Sequence, residues 1–226
     1  MVKQNKNALI VFSRDPVLGQ VKTRLNPFLD LKTICDLYTC FLSDCLKTIC
    51  SVESADYFVG IYPSNVSGYF EQLDPSLSIS TFIQEGKDLG ERMKNAFSVK
   101  FAEGYKQIVI VGADSPSLPS LYIRQALASN RDVVLGPSVD GGYYLIGMKE
   151  KLTHLFDDIK WGGDTVLKET YCKLKARGAS FELLPVWYDV DRPDDLKFLK
   201  THLDLLAALG QLEGSSTQKF LSSLSF

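Results

Sequence analysis

The chain has 226 residues, 45% of them hydrophobic, enough to bury one substantial core and within the usual size of a single α/β domain. Its 25 basic and 27 acidic side chains leave a net charge of -2, and no run of Lys or Arg offers a footprint for a phosphate backbone, which excludes nucleic acid as an expected partner. No stretch approaches a membrane span, and Ala8 to Phe12 is too short an apolar run for a secretion signal, so the expectation is a cytoplasmic protein with no membrane partner; homo-oligomerisation is left open.

Ala8 to Phe12 reads as the first core strand, emptying into a loop from Ser13 to Gln20. A long helix is predicted from Leu31 to Val52, where Ile34, Leu37, Phe41, Leu42, Cys45 and Ile49 keep near-helical spacing. Within it Cys35, Cys40, Cys45 and Cys50 recur every five residues. Such steps turn by roughly 140°, scattering the thiols around the axis, so they and Cys172 read as small buried residues rather than a metal or disulfide framework. Asp56 to Ile61 reads as a strand, Asn65 to Leu73 as a short helix and Ser78 to Ile83 as a third strand. A helix then runs from Asp88 to Gly104, with Asp88 as N-cap and Glu91 as its capping-box partner.

Ile108 to Pro119 reads I-V-I-V-G-A-D-S-P-S-L-P. Four consecutive β-branched residues mark a strand buried on both faces, and the run stops at Gly112 and a lone carboxylate, Asp114. Ligands of open parallel sheets bind at the carboxyl ends of strands, so Asp114 is a candidate for a metal or a ligand hydroxyl; a helix cap or an Asx-turn is the alternative. Next come a helix from Pro119 to Ser129 and strands Val133 to Gly136 and Tyr143 to Met148, joined by the turn Pro137 to Gly142. A helix capped by Asp164 should run to Arg177 and stop at Gly178. Ser180 to Pro185 reads as a late strand, Trp187 to Val190 as extended, and Asp194 to Leu209 as the last helix, entered through Pro193. The Ser-rich tail, Gly214 to Phe226, is expected to be frayed or weakly docked. Strands alternating with helices argue an α/β fold with a mostly parallel sheet.

Several clusters suit chemistry. Phe12 to Leu25 places Ser13, Arg14, Gly19, Lys22 and Arg24 in or beside one loop at a strand's carboxyl end. Its three cations suit a polyphosphate, although a solvated basic turn has the same composition and the spacing is not that of a P-loop. In Gln84 to Arg92, Gly86 and Gly90 flank a helix start at Leu89, fit for an anion or a base edge or for a plain connection. Asp140-Gly141-Gly142-Tyr143 is either a hairpin turn or a close approach to a ligand beside an aromatic face. Trp161-Gly162-Gly163 is a weaker signal of the same kind. Asp189 and Asp191 share one face of an extended segment, so one of them can join Asp114 on a divalent cation, while Asp194 and Asp195 are ordinary helix-start charges. His154 and His202 stand apart as surface or packing residues.

In this order, F-S-R-D-P-V-L-G-Q-V-K-T-R-L, Q-E-G-K-D-L-G-E-R-M, G-A-D-S-P-S-L-P, D-G-G-Y-Y-L-I-G and D-V-D-R-P-D-D-L resemble a bacterial family of the GT-A, or nucleotide-diphospho-sugar transferase, superfamily, some members of which are labelled arsenosugar-biosynthesis glycosyltransferases. The pattern is also similar to the phospholactate and molybdenum-cofactor guanylyltransferases. The resemblance implies a single-domain three-layer α/β/α sandwich over residues 1–210 with a polar tail after it. It implies an activated nucleotide, a nucleotide-sugar or an NTP, bound through Ser13, Arg14, Gly19, Lys22, Arg24, Gln84, Gly86, Leu89 and Gly90. Mg2+ or Mn2+ would be held by Asp114 and Asp191, and a small-molecule acceptor would face Gly141, Gly142, Tyr143 and Trp161, with Asp140 and Lys22 carrying catalysis. Glycosyl transfer is the leading expectation, with nucleotidyl transfer to a phosphorylated acceptor and non-catalytic nucleotide binding as alternatives. Pro116 stands where many glycosyltransferases of this superfamily carry the second Asp of a D-x-D pair.

Overall fold

The computed structural model describes residues 4–149, 152–212 and 214–224; residues 1–3 of the charged start, and 213, 225 and 226 of the tail, lie outside them. Seven strands form one sheet: β1 (Asn7–Arg14), β2 (Ala55–Tyr62), β3 (Ile79–Ile83), β4 (Gln107–Gly112), β5 (Val133–Pro137), β6 (Tyr143–Met148) and β7 (Phe181–Leu183), ordered β3-β2-β1-β4-β6-β5-β7. Only β6 runs antiparallel, against β4 and β5, so the sheet is the mostly parallel mixed one that the alternating pattern implies.

Side chains alternate across the pleat, so each central strand feeds two cores. Leu9 and Val11 of β1 and Val109 and Val111 of β4 meet α1 (Leu31–Cys50), α3 (Ser120–Ala128), α5 (Pro193–Ala208) and α6 (Ser216–Ser222) through Leu37, Phe41, Ile123, Leu199 and Leu221. Ala8, Ile10, Ile108 and Ile110 point the other way. They meet α2 (Leu89–Ala102) and α4 (Val166–Arg177) through Phe97 and Leu174, with Phe156 of a 3-10 turn between. At about 1.5–3 kcal/mol for each large side chain buried, the two layers hold the sheet between them. Because both faces are apolar, a continuous I-V-I-V run serves where an amphipathic strand would alternate.

Helix starts follow from local chemistry. The Asp30 carboxylate accepts from the backbone N–H groups of Lys32 and Thr33, both at 3.0 Å, and Asp88 accepts from Glu91 N–H at 2.8 Å. The return half of the expected capping box is displaced by one residue, because the Glu91 carboxylate takes the N–H of Lys87 at 2.9 Å. Gly178 closes α4 with φ 62°, the left-handed turn expected of it.

Four expectations fail for identifiable reasons. No α-helix forms over Asn65 to Leu73; only a 3-10 turn, Phe70–Gln72, is present, because the buried Asp15 carboxylate takes the N–H groups of Val66 at 2.7 Å and Ser67 at 3.0 Å and fixes a loop. Asp164 is not a cap: α4 starts after Thr165, whose hydroxyl donates to Glu169 at 2.7 Å. Over its described residues, 214–224, the tail is neither frayed nor loose. Buried Asp44 accepts from Ser216 N–H and Thr217 N–H, each at 2.8 Å, and clamps α6 onto α1. Of the five cysteines expected to be buried, Cys45 is; Cys35, Cys40 and Cys50 are half-buried, and Cys172 is exposed on the solvent side of α4. Among the described residues, no helix is long and apolar enough to cross a membrane.

Candidate functional site

The chain goes from β1 to β2 on one side and, after β3, crosses to β4 on the other. Loops leaving adjacent β1 and β4 therefore diverge, and a crevice opens at their carboxyl ends, which is the topological switch point of an open α/β sheet. That crevice is a cavity of about 310 Å3 lined by Arg14, Gln20, Val21, Lys22, Thr23, Arg24, Tyr38, Asp114 and Asp191.

Three segments far apart in sequence build it. The β1 loop turns back at Lys22, whose φ 44° and ψ 38° are left-handed, a conformation that costs an L-residue roughly 1–2 kcal/mol and persists where its surroundings over-determine it. The turn buries Val21 and directs Lys22 inward, leaving its side chain 5% exposed. Asp114 stands two residues past the end of β4. The segment before α5 is stitched to it: Val190 N–H donates to the Asp114 carbonyl at 3.0 Å, and Ser115 Oγ donates to the Tyr188 carbonyl at 2.9 Å. Asp195 completes the placement by accepting from the N–H groups of Asp191 at 3.1 Å and Arg192 at 2.8 Å.

The result is one ammonium between two carboxylates. Lys22 Nζ lies 2.6 Å from Asp114 Oδ1 and 2.8 Å from Asp191 Oδ1, and Arg24 NH1 reaches Asp191 Oδ2 at 3.2 Å. Burial alone would pull the Lys22 ammonium down, but Asp114 and Asp191 outweigh it and hold its pKa above the ordinary value. Burial would likewise raise Asp191, yet Lys22 and then Arg24 bring its carboxyl below the usual range. Asp189, expected to share a face with Asp191, turns elsewhere: it accepts from Ser138 Oγ at 2.8 Å, and burial, then the charge of Asp140, raises its pKa.

Arg14 joins the crevice with its backbone N–H bonded to Tyr38 Oη at 2.9 Å and its guanidinium donating to the Gln20 carbonyl at 3.0 Å. Gly19 makes the turn between them with φ 74°. Ser13 and Gln84 sit lower, both buried. Gln84 Nε2 donates to the carbonyls of Ser13 at 3.1 Å and Gly60 at 2.7 Å, tying β1 and β2 to the end of β3.

The glycine-rich motifs meet at a second place along the same edge. A side chain at Gly90 would collide with the indole of Trp161, and one at Gly141 with the backbone of Asp164, so the Gln84 to Gly90, Asp140 to Tyr143 and Trp161 to Asp164 segments pack on one another. Leu89 is partly exposed beside Gly90, whereas Gly86 lies against the backbone of Glu91 and Arg92. The Tyr143 ring stands edge-on to Trp161 at 6.5 Å. Asp140 is exposed, one oxygen accepting from Gly142 N–H at 2.9 Å.

Two contributors escaped the sequence reading. Tyr38 is not among the positions the helical spacing singles out; its hydroxyl, which needs a partner when buried, is the available signal. Arg92 lies within the second motif, 4.0 Å from the centre of the Tyr62 ring, on which Arg14 also lies at 5.6 Å. His154 is exposed and bonds Asp157, and His202 packs among Trp187, Tyr188 and Phe198 with Nδ1 2.6 Å from Tyr188 Oη, the surface and packing roles expected of them.

Residues 46–163 match the model of DUF2064, described as an uncharacterized protein conserved in bacteria. A solved structure from Desulfovibrio desulfuricans G20, described provisionally as a nucleotide-diphospho-sugar transferase, is 31% identical and superposes with a TM-score of 0.87, covering 97% of this chain and 95% of that one. A 2-phospho-L-lactate guanylyltransferase of Methanocaldococcus jannaschii is 25% identical over 189 residues, 82% of this chain and 79% of the relative. A cytidylyltransferase from Leptospira borgpetersenii shares the fold at 14% identity, with a TM-score of 0.58 and 99% of both chains covered.

Proposed function

The chain belongs to the DUF2064 family of bacterial proteins, and from that premise we propose that it is a metal-assisted transferase that draws on an activated nucleotide, moving a nucleotidyl group from an NTP to a phosphorylated small-molecule acceptor. The observation that carries this reading is the Asp114–Lys22–Asp191 bridge at the switch point, beside Arg14 and Arg24. Two carboxylates already converging on a single cation match the donor set of a Mg2+ or Mn2+ site, which takes one or two protein carboxylates and completes its shell with water and phosphate oxygens. When bound, the divalent ion supplies positive charge to the phosphate under attack.

The chain's own residues do the rest. Arg14 and Arg24 flank the cavity and bind phosphate oxygens, the forked guanidiniums matching them bidentately. Lys22 neutralises charge that develops on the leaving group. Gln84 keeps the floor rigid by tying the strand ends, and the packed Gly90–Trp161 and Gly141–Asp164 contacts give the base and the acceptor a fixed wall. Asp140, exposed at the turn, orients the acceptor, whose attacking phosphate oxygen is already anionic near neutral pH.

Nucleotidyl transfer ranks above the glycosyl transfer expected from sequence on two grounds. The second carboxylate comes from Asp191 rather than from a D-x-D pair, and the matched curated relative is a guanylyltransferase. Glycosyl transfer remains the second reading, favoured by the description of the 31% identical structure. Thermal-shift measurements with Mg2+ separate them. The proposal expects GTP or CTP at a hundredfold excess over Kd to raise Tm by about 5–10 °C. Stabilisation by nucleotide-sugars and by no NTP would reverse the order.

A further inference from the structure

The salt bridge at the heart of the crevice raises a problem of charge. The ammonium that would assist the reaction occupies the space between the two carboxylates that would hold the metal: Lys22 Nζ is 2.6 Å from Asp114 and 2.8 Å from Asp191, and its side chain is 95% screened from solvent. A divalent ion and the ammonium cannot share those two Oδ1 atoms. Asp114 and Asp191, by contrast, are 48% and 37% exposed, so both open onto the cavity from which an ion would arrive.

We infer that Lys22 is an exchangeable placeholder, an internal cation that holds Asp114 and Asp191 together in the metal-free protein and leaves them for the nucleotide phosphates when the metal–nucleotide complex enters. The inference rests on the proposed metal site and adds a sequence of events to it. Two carboxylates without a cation between them would repel each other across a partly dry cleft, so the lysine keeps the site assembled. It also sets a threshold. Metal alone must expel a buried ammonium that finds no new partner, whereas metal with a polyphosphate offers that ammonium anionic oxygens nearby. Binding of metal and of nucleotide is therefore coupled, and by linkage each strengthens the other equally. The β1 loop can make the move because its anchoring at Lys22 is a strained left-handed residue with Thr23 and Arg24 exposed after it.

Mn2+ titration followed by the electron paramagnetic resonance of the free ion tests this on the full chain, with no nucleotide present. Lys22→Met keeps an unbranched side chain as far as Cε and removes the ammonium, and it should bind Mn2+ at least about tenfold more tightly than the wild type. Lys22→Arg should stay as weak as the wild type, and Asp114→Asn should abolish binding in either background. If Lys22→Met binds no more tightly while Asp114→Asn still abolishes binding, the metal site stands and the placeholder falls. If no form of the protein binds Mn2+, the metal site falls and the placeholder with it. Should Lys22→Met fail to fold, a wild-type crystal structure with Mn2+ and GTP decides: Lys22 Nζ on phosphate supports the exchange, and Nζ still bridging both aspartates overturns it.

Discussion

Two pairs of aspartates in this protein look alike in sequence and differ in what they are paired with. Asp15 and Asp44 are 2% and 5% exposed and spend their oxygens on backbone N–H groups and serine hydroxyls, with a long 3.8 Å contact from Lys47 to Asp44 beside them. Asp114 and Asp191 are 48% and 37% exposed, and the partners of their carboxylates are cationic side chains. Amides fixed in the backbone cannot leave, so the first pair is structural and has little acceptor capacity left for a ligand. An ammonium on a side chain can move away. The difference locates function in the less buried pair, where the carboxylates hold a partner that can be exchanged.

Mutating each pair should break the molecule in opposite ways. Asp114→Asn is expected to weaken Mn2+-dependent nucleotide binding by about a hundredfold, roughly 2.7 kcal/mol, and to lower Tm by only a few degrees because Asp191 still pairs Lys22. Calorimetric titration checks the first half and a melting curve the second. Asp44→Ala should do the reverse. It leaves the first-turn amides of α6 without their acceptor and costs roughly 2 kcal/mol of stability by urea denaturation, with nucleotide affinity per folded molecule unchanged. Equal loss of affinity in the two variants would erase the distinction.

The same contrast runs through pH. Asp191 has a folded pKa below its ordinary 3.8, so its contribution is present above that value and lost as pH falls through the lower folded one. Lys22 has a folded pKa above 10.5, so its contribution is complete below 10.5 and is lost as pH rises through the higher folded value. The bridge should therefore stabilise the fold at a constant level between those limits. In chemical denaturation, the difference between wild type and Asp191→Asn should stay level between pH 3.8 and 10.5 and shrink on either side of those limits; a difference that changes within them would contradict the assignment.

The smallest effect belongs to the stitching around the site. Tyr188 Oη accepts from Ser117 Oγ at 2.8 Å and meets His202 at 2.6 Å, so Tyr188→Phe should cost about 1 kcal/mol in urea denaturation. Nucleotide binding should change by less than about threefold, because the Val190 to Asp114 backbone bond that sets the carboxylate survives.

The sequence carried the layers well because local signals and burial agree there. A four-residue β-branched run needs two apolar faces, Asp88 caps where it stands, and Gly178 ends its helix. It failed where a distant carboxylate decides the local backbone. Asp15 turns Asn65 to Ser67 into a loop, and Asp44 gives the tail a helix across more than 170 positions of chain. No periodicity within either segment records those partners. The site divides in the same way. Lys22, Arg24, Asp114 and Asp191 were singled out by charge at the ends of core strands and do converge, but that the lysine would lie between the aspartates depends on the left-handed turn at Lys22, for which a lysine gives no residue-type signal.

Anomalous diffraction from crystals of the wild-type protein grown with Mn2+ and GTP is the most direct test of the whole account. The account predicts one manganese peak bonded to both Asp114 and Asp191, with the nucleotide's phosphates beside Arg14 and Arg24. Nucleotide bound elsewhere, or manganese on phosphate alone with Lys22 still bridging the two carboxylates, would contradict it.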